Sequence, residues 1–262
     1  MRTKLKDREM PVYTKGEECF NMVSHIVGGA IGVAGMVLCI IRSVLHHNGY
    51  GLAGSIVFGV SMILLYTMSS VYHGLHDGMG KRVLQVLDHC TIYVLIAGTY
   101  TPILLSAMRP IDPVSSWVLL GLVWGLSALA ITLTAIDLKR FRVFSMICYI
   151  GMGWCIIFKV PLLIQAVGWA GFWLILAGGI CYTVGAVLYG MGRTKRYMHS
   201  VFHIFVVLGT VCHILAVLLF ALYKRKILLP ASLCGAGRLS LSGDGQTRAR
   251  GFGLWYNQGE DE

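Results

Sequence analysis

Residues 199–223 read HSVFHIFVVLGTVCHILAVLLFALY, a stretch without a single Asp, Glu, Lys or Arg. An apolar run of this length crosses a hydrocarbon layer about 30 Å thick as an α-helix. It shows no strict two-residue alternation and is about twice as long as a barrel strand, so a helix is expected and a transmembrane β-barrel is not. Two ring nitrogen donors interrupt its first turns. His199 and His203 stand four residues apart, on one helical face and about 6 Å apart along the axis.

The same pattern extends upstream. Apolar runs fall at 21–42, 52–73, 86–108, 115–136, 144–166 and 169–191, and the last at 200–223. Hydrophobic residues make up 56% of the chain and charged residues 13%, with a mean hydropathy of +0.71, more apolar surface than a soluble globule can bury. The expected fold class is therefore an all-α integral membrane protein, a seven-transmembrane helix bundle.

Basic residues orient it. Arg2, Lys4, Lys6, Arg8 and Lys15 precede the first run, and alternate loops add Lys81 and Arg82, then Lys139, Arg140 and Arg142, then Arg193, Lys195 and Arg196. The opposite loops offer little beyond Arg42 and Arg109, so the amino terminus is expected in the cytoplasm. Lys224, Arg225 and Lys226 run against the rule. The domain organisation expected is a cytoplasmic arm at 1–20, a membrane domain at 21–223 and a disordered tail at 224–262, rich in Gly, Ser and Arg. The polar start and the long first run argue for a retained anchor, not a cleaved signal peptide. The net charge of +10 follows this inside bias, which points to contact with membrane lipid and not to a nucleic-acid partner. Eight scattered cysteines without a Cys-x-x-Cys pair argue against a disulfide framework or a thiolate metal site.

Topology gathers the polar residues of the runs at one level. Glu18, Asn21 and His25 share a face of the first helix; Ser69 and His73 end the second; Asp88 begins the third; His199 and His203 begin the last. A single interfacial histidine can snorkel to water and imply nothing, and His76, His89 and His213 are read that way or as packing residues. Three that converge form a ligand set. His73, His199 and His203 suit zinc, a borderline ion that imidazole binds well and that keeps a fourth position open in catalytic sites. Asp88 is placed to take a proton from a water activated there, and Ser69 to orient that water or a substrate oxygen. Glu18, Asn21 and His25 are expected to fix the orientation of the ligands.

Taken in order, Glu18-x2-Asn21-x3-His25, Ser69-x3-His73, Asp88 and His199-x3-His203 resemble the hemolysin III family, the bacterial branch of the progestin and adipoQ receptor superfamily. The resemblance covers roughly residues 15–223 and stops before the tail. It implies a seven-helix bundle in the bacterial plasma membrane, amino terminus inside, with zinc on His73, His199 and His203 and with Asp88 and Ser69 beside it. The superfamily also looks like that of membrane hydrolases, including ceramidases that cleave lipid amides, which makes a lipid the implied substrate.

Three functions stay open from the sequence: a zinc-dependent hydrolase of lipid amides or esters, a pore-forming cytolysin or channel as the family name suggests, and a receptor or sensor with structural zinc. A pore needs a continuous polar path. The polar residues here stop about one third of the way along the runs, which favours a site over a conduit.

Overall fold

The computed structural model describes Leu5 and residues 10–192 and 194–223; the tail expected at 224–262 and residues 1–4 and 6–9 of the amino-terminal arm lie outside the described residues. Among these residues every regular element is helical: α1 (Lys15–Leu45), α2 (Gly49–Gly74), α3 (Met79–Pro102), α4 (Pro113–Ile136), α5 (Arg142–Trp154), α6 (Val160–Met191) and α7 (Met198–Ala216). Six helical stretches are long and apolar enough to cross a membrane, and the fifth of them, Arg142–Met191, runs over 50 residues.

That stretch is not one rod. A 50-residue helix would measure about 75 Å, but Cys155–Lys159 tightens into a 3₁₀ turn, and Gly168 adopts φ 72°, ψ 173°, a conformation open essentially to glycine alone. The Trp154 indole N–H donates to the Thr183 hydroxyl at 3.0 Å. A straight helix would hold those residues about 43 Å apart, so the chain folds back at Gly168, between the apolar runs at 144–166 and 169–191.

α1 begins ahead of the apolar run at 21 because Thr14 and Glu17 form a capping box. The Glu17 amide donates to the Thr14 hydroxyl at 3.3 Å, and the Thr14 amide returns a bond to the Glu17 carboxylate at 2.8 Å. Glycines on its inner face admit close neighbours: a Cβ on Gly28 would stand 2.6 Å from the Tyr66 ring. In lipid such contact is what holds helices together, since burial from water no longer drives them. α1 packs on α2 and α7, and α3, the most buried span, packs on α2, α4 and α5. Outward faces are apolar, with Ile26, Val37 and Ile41 of α1 and Leu122 and Leu129 of α4 exposed, as a lipid-facing surface requires. Trp117, Trp169 and Trp173 also stand outward.

Both α3 and α7 end in π-helical turns, Ile103–Met108 and Val217–Ala221. Such turns free carbonyls, and side chains take them up. Ser106 donates to the Ala221 carbonyl at 2.7 Å and accepts from the Asn48 amide at 2.8 Å. This clasp closes one end of the bundle; His73, His199 and His203 lie toward the other.

Candidate metal centre

His73 lies on the last turn of α2, and His199 and His203 on the first turns of α7. All three are buried, and each offers a ring nitrogen within 4.8 Å of the others. The Nε2 atoms of His199 and His73 stand 3.4 Å apart, and those of His203 and His199 stand 3.2 Å apart.

The outer ring nitrogens decide what this arrangement is. His73 Nδ1 lies 2.5 Å from the Glu18 carboxylate, and His203 Nδ1 lies 3.2 Å from the Asn21 backbone carbonyl. An ionised carboxylate and a carbonyl only accept, so both Nδ1 atoms carry the proton and both Nε2 atoms present lone pairs to the centre. One proton on His199 Nε2 can bridge to one neighbour only; a cation satisfies all three at once. Tetrahedral zinc with nitrogen ligands at about 2.0–2.1 Å would set those nitrogens about 3.3 Å apart. The donor set therefore fits a borderline divalent ion, with outer contacts of the kind that fix ligand histidines.

Support extends further. The Glu18 carboxylate also receives Lys81 Nζ at 2.6 Å, and Lys81 donates to the Leu75 carbonyl at 2.9 Å, so α1, α2 and α3 meet on one carboxylate. The three residues expected to steady the ligands act in different ways. Glu18 uses its carboxylate and Asn21 its backbone carbonyl. His25 stacks on the His203 ring at 3.8 Å. The Asn21 amide and both His25 ring nitrogens are buried with no partner among the described residues.

Asp88 stands on α3, its carboxylate 3.7 Å from His89 Nδ1 and close enough to the His73 ring and the Ser69 hydroxyl to feel both. Its side chain retains 16% exposure, and Asp88 and Ser69 line a cavity of about 140 Å³ that His199 and His203 also border. Away from these groups the wall is mainly apolar, with Leu65, Ile92, Leu95 and Ile96 contributing. A second space of about 260 Å³ shares Thr99, Tyr100, Trp154 and His213 with the first.

Four neighbours of the histidines were not anticipated as such. Glu17 accepts the Tyr197 amide N–H at 2.7 Å, tying α1 to the start of α7. That contact holds the arm over the site, where Tyr13 stacks on His199 at 4.9 Å. Burial, with Tyr189, Glu18 and Asp88 nearby, keeps the Tyr13 phenol well above its usual pKa and so protonated. Tyr72 packs on His73 with ring centroids 4.6 Å apart, and the Tyr189 hydroxyl meets His89 Nε2 at 2.9 Å. The Thr14-x2-Glu17 spacing is the one advance signal of this group, because it marks a helix start. His89 is held by Tyr189 and by the Gln85 carbonyl and faces the Asp88 carboxylate at 3.7 Å on the cavity wall, and His76 is exposed; neither adds a nitrogen to the three-histidine group.

Comparison with known proteins agrees with this geometry. A family model described as Haemolysin-III related matches residues 13–214. The chain belongs to the haemolysin III family. It is 36% identical over 206 residues to Hemolysin-3 of Bacillus cereus, covering 79% of this chain and 92% of the relative. To a Hemolysin-3 homolog of Bacillus subtilis (strain 168) it is 34% identical over 209 residues, covering 80% and 96%. A more distant likeness, 23% over 169 residues, covers 62% of this chain and 67% of the Monocyte to macrophage differentiation factor of Homo sapiens. With six candidate spans this haemolysin III member is a multi-pass membrane protein carrying a buried three-histidine group able to hold a metal ion.

Proposed function

We propose that this haemolysin III protein is a zinc-dependent intramembrane hydrolase of lipid amides or esters. In this reading seven helices cross the membrane with the amino terminus in the cytoplasm, the reversal at Gly168 dividing the 50-residue stretch into two crossings and the basic loops setting the orientation. The observation that carries it is the convergence of three histidine ring nitrogens beside Asp88 and Ser69 on the wall of an apolar cavity.

His73, His199 and His203 hold the ion, which when bound supplies Lewis-acid polarisation of a carbonyl and activation of water. Glu18 and the Asn21 carbonyl keep the two outer Nδ1 atoms protonated, so the ligand lone pairs stay directed inward. Asp88 accepts a proton at its carboxylate and returns it to the leaving amine or alcohol. Ser69 orients that carboxylate. The apolar wall takes the hydrocarbon part of the substrate and keeps bulk water from the cleaved bond.

Metal analysis of purified protein tests this, joined to hydrolysis of a panel of lipid amides and esters. His203→Ala should lose metal and activity together, while Asp88→Ala should keep metal and lose activity. Metal retained in His203→Ala would overturn the ligand assignment. The name of the Bacillus cereus relative points to lysis instead, and dye release from liposomes that rises steeply with protein concentration would favour a pore.

A further inference from the structure

His213 lies ten residues beyond His203 on α7, about 15 Å farther along the helix axis, and its buried ring borders both spaces of the cavity. Its Nδ1–H donates to the Gly209 carbonyl at 2.8 Å, which leaves the lone pair on Nε2. Among the described residues no donor reaches that atom.

The surrounding polar groups are already committed. Thr99 donates to the Leu95 carbonyl at 2.8 Å, and Tyr100 to the Gly153 carbonyl at 2.9 Å. Trp154 donates to Thr183, and Thr183 in turn donates to the Gly179 carbonyl at 2.8 Å. The Tyr182 ring lies nearly parallel to the imidazole, 18° from it at 5.3 Å, so it covers the face and cannot reach a lone pair that lies in the ring plane. Gly178 makes room for this placement, since a Cβ there would stand 2.3 Å from the ring. An acceptor that meets no donor is costly in an apolar cavity, and the fold holds this one at the junction of the two spaces.

We infer that His213 Nε2 is a specificity element for a lipid whose hydrocarbon chain carries a hydroxyl. The inference builds on the lipid-hydrolase reading, because the head of the same molecule would sit at the histidine cluster. The separation of about 15 Å is the span of roughly a dozen extended methylenes. The hydroxyl donates to Nε2, and the chain to either side fills the two spaces. A plain chain of equal length fills the same volume but leaves Nε2 without a donor, and the preference follows from that difference.

Full-length protein in lipid nanodiscs tests this by competition against radiolabelled octadecanoic acid, using unlabelled octadecanoic acid and 12-hydroxyoctadecanoic acid. The hydroxy acid should compete about fivefold better with the wild type, the worth of one ordinary hydrogen bond. The ratio should fall to about one in His213→Phe and persist in His213→Gln, whose side-chain carbonyl accepts. Equal competition by both acids in the wild type, as when water satisfies Nε2, overturns the inference, and so does a preference that survives in His213→Phe. Metal content of the same samples separates the two proposals. A preference in protein that binds no metal leaves this inference standing and removes the hydrolase reading, whereas bound metal without a preference does the reverse.

Discussion

Replacing Glu18 by Gln should weaken metal binding more than removing its partner Lys81 does. The Glu18 carboxylate stands between two donors, His73 Nδ1 at 2.5 Å and Lys81 Nζ at 2.6 Å. A charge-assisted hydrogen bond contributes about 1.5–3 kcal/mol, or about 10–100-fold in affinity. The His73 side chain is wholly buried while that of Glu18 retains 20% exposure, so water partly compensates and simple loss of the bond sits near the tenfold end. A carboxamide does worse than lose the bond. Lys81 only donates, so it claims the amide oxygen and turns the NH₂ toward His73. The imidazole must then accept at Nδ1, its proton moves to Nε2, and the ligand lone pair is blocked. Glu18→Gln is therefore expected near the hundredfold end. Lys81→Met leaves the Glu18–His73 bond in place and should cost only a few-fold. Competition with a chromophoric chelator, on detergent-solubilised protein at fixed pH, measures both variants. Wild-type affinity in Glu18→Gln, or a larger loss in Lys81→Met, would refute the tautomer argument.

Two further outcomes follow from positions outside the cluster. Gly168→Ala places a Cβ on a backbone at φ 72°, ψ 173° and should cost about 1–3 kcal/mol, read as a lower thermal midpoint, whereas Gly190→Ala, with nothing within 4 Å, should not lower it. Asp112 caps α4 by accepting the Ser115 amide at 3.0 Å, and its hydrogen bonds to Ser115 hold its carboxyl below the ordinary value. Its contribution is thus complete above the unfolded pKa of about 3.9 and is lost as pH falls through the lower folded value. Asp112→Asn should flatten that acid limb of the thermal midpoint against pH, and an unchanged limb would show that other carboxylates govern it.

The helical membrane architecture is legible because an uncharged run has few alternatives in lipid. The grouping of His73, His199 and His203 is legible because an i, i+4 pair and a helix-end partner can be brought together by topology alone. Other features are hidden for identifiable reasons. Asn21 contacts His203 through its backbone carbonyl, which every residue possesses, so its side chain announces nothing about that contact. Lys81 reads as a topology marker because basic loop residues are counted for orientation, yet it is buried and holds Glu18. The 3₁₀ turn at Cys155–Lys159 is hidden in hydropathy because it falls inside an apolar run, and Pro161 just beyond it is the local mark of the break. Tyr13 lies in a polar arm, and only the tie from Glu17 to Tyr197 brings it over the histidines.

α1 shows how one helix can carry both site and scaffold. Its buried residues are Glu17, Asn21, His25, Gly28, Gly32, Gly35, Cys39 and Ser43, recurring every three or four positions as a single inward stripe. Along that stripe the chemistry changes with depth. The first three lie around His73, His199 and His203; the glycines remove side chains where Tyr66, Met62 and Ile214 come closest; Ser43 meets Ser55 at 3.2 Å near the opposite end. The order has a physical reason. The groups of α1 that pair across helices gather toward its ends, with Glu18 and the Asn21 carbonyl accepting from imidazoles at the first, and the middle of the helix associates by close contact. A bulky residue at Gly28 or Gly35 would push α1 from α2 or α7, and the Glu18–His73 and Asn21–His203 contacts a few turns away would open with it. The glycine stripe, which touches none of the three histidines, is therefore part of what keeps their ring nitrogens aimed at one point.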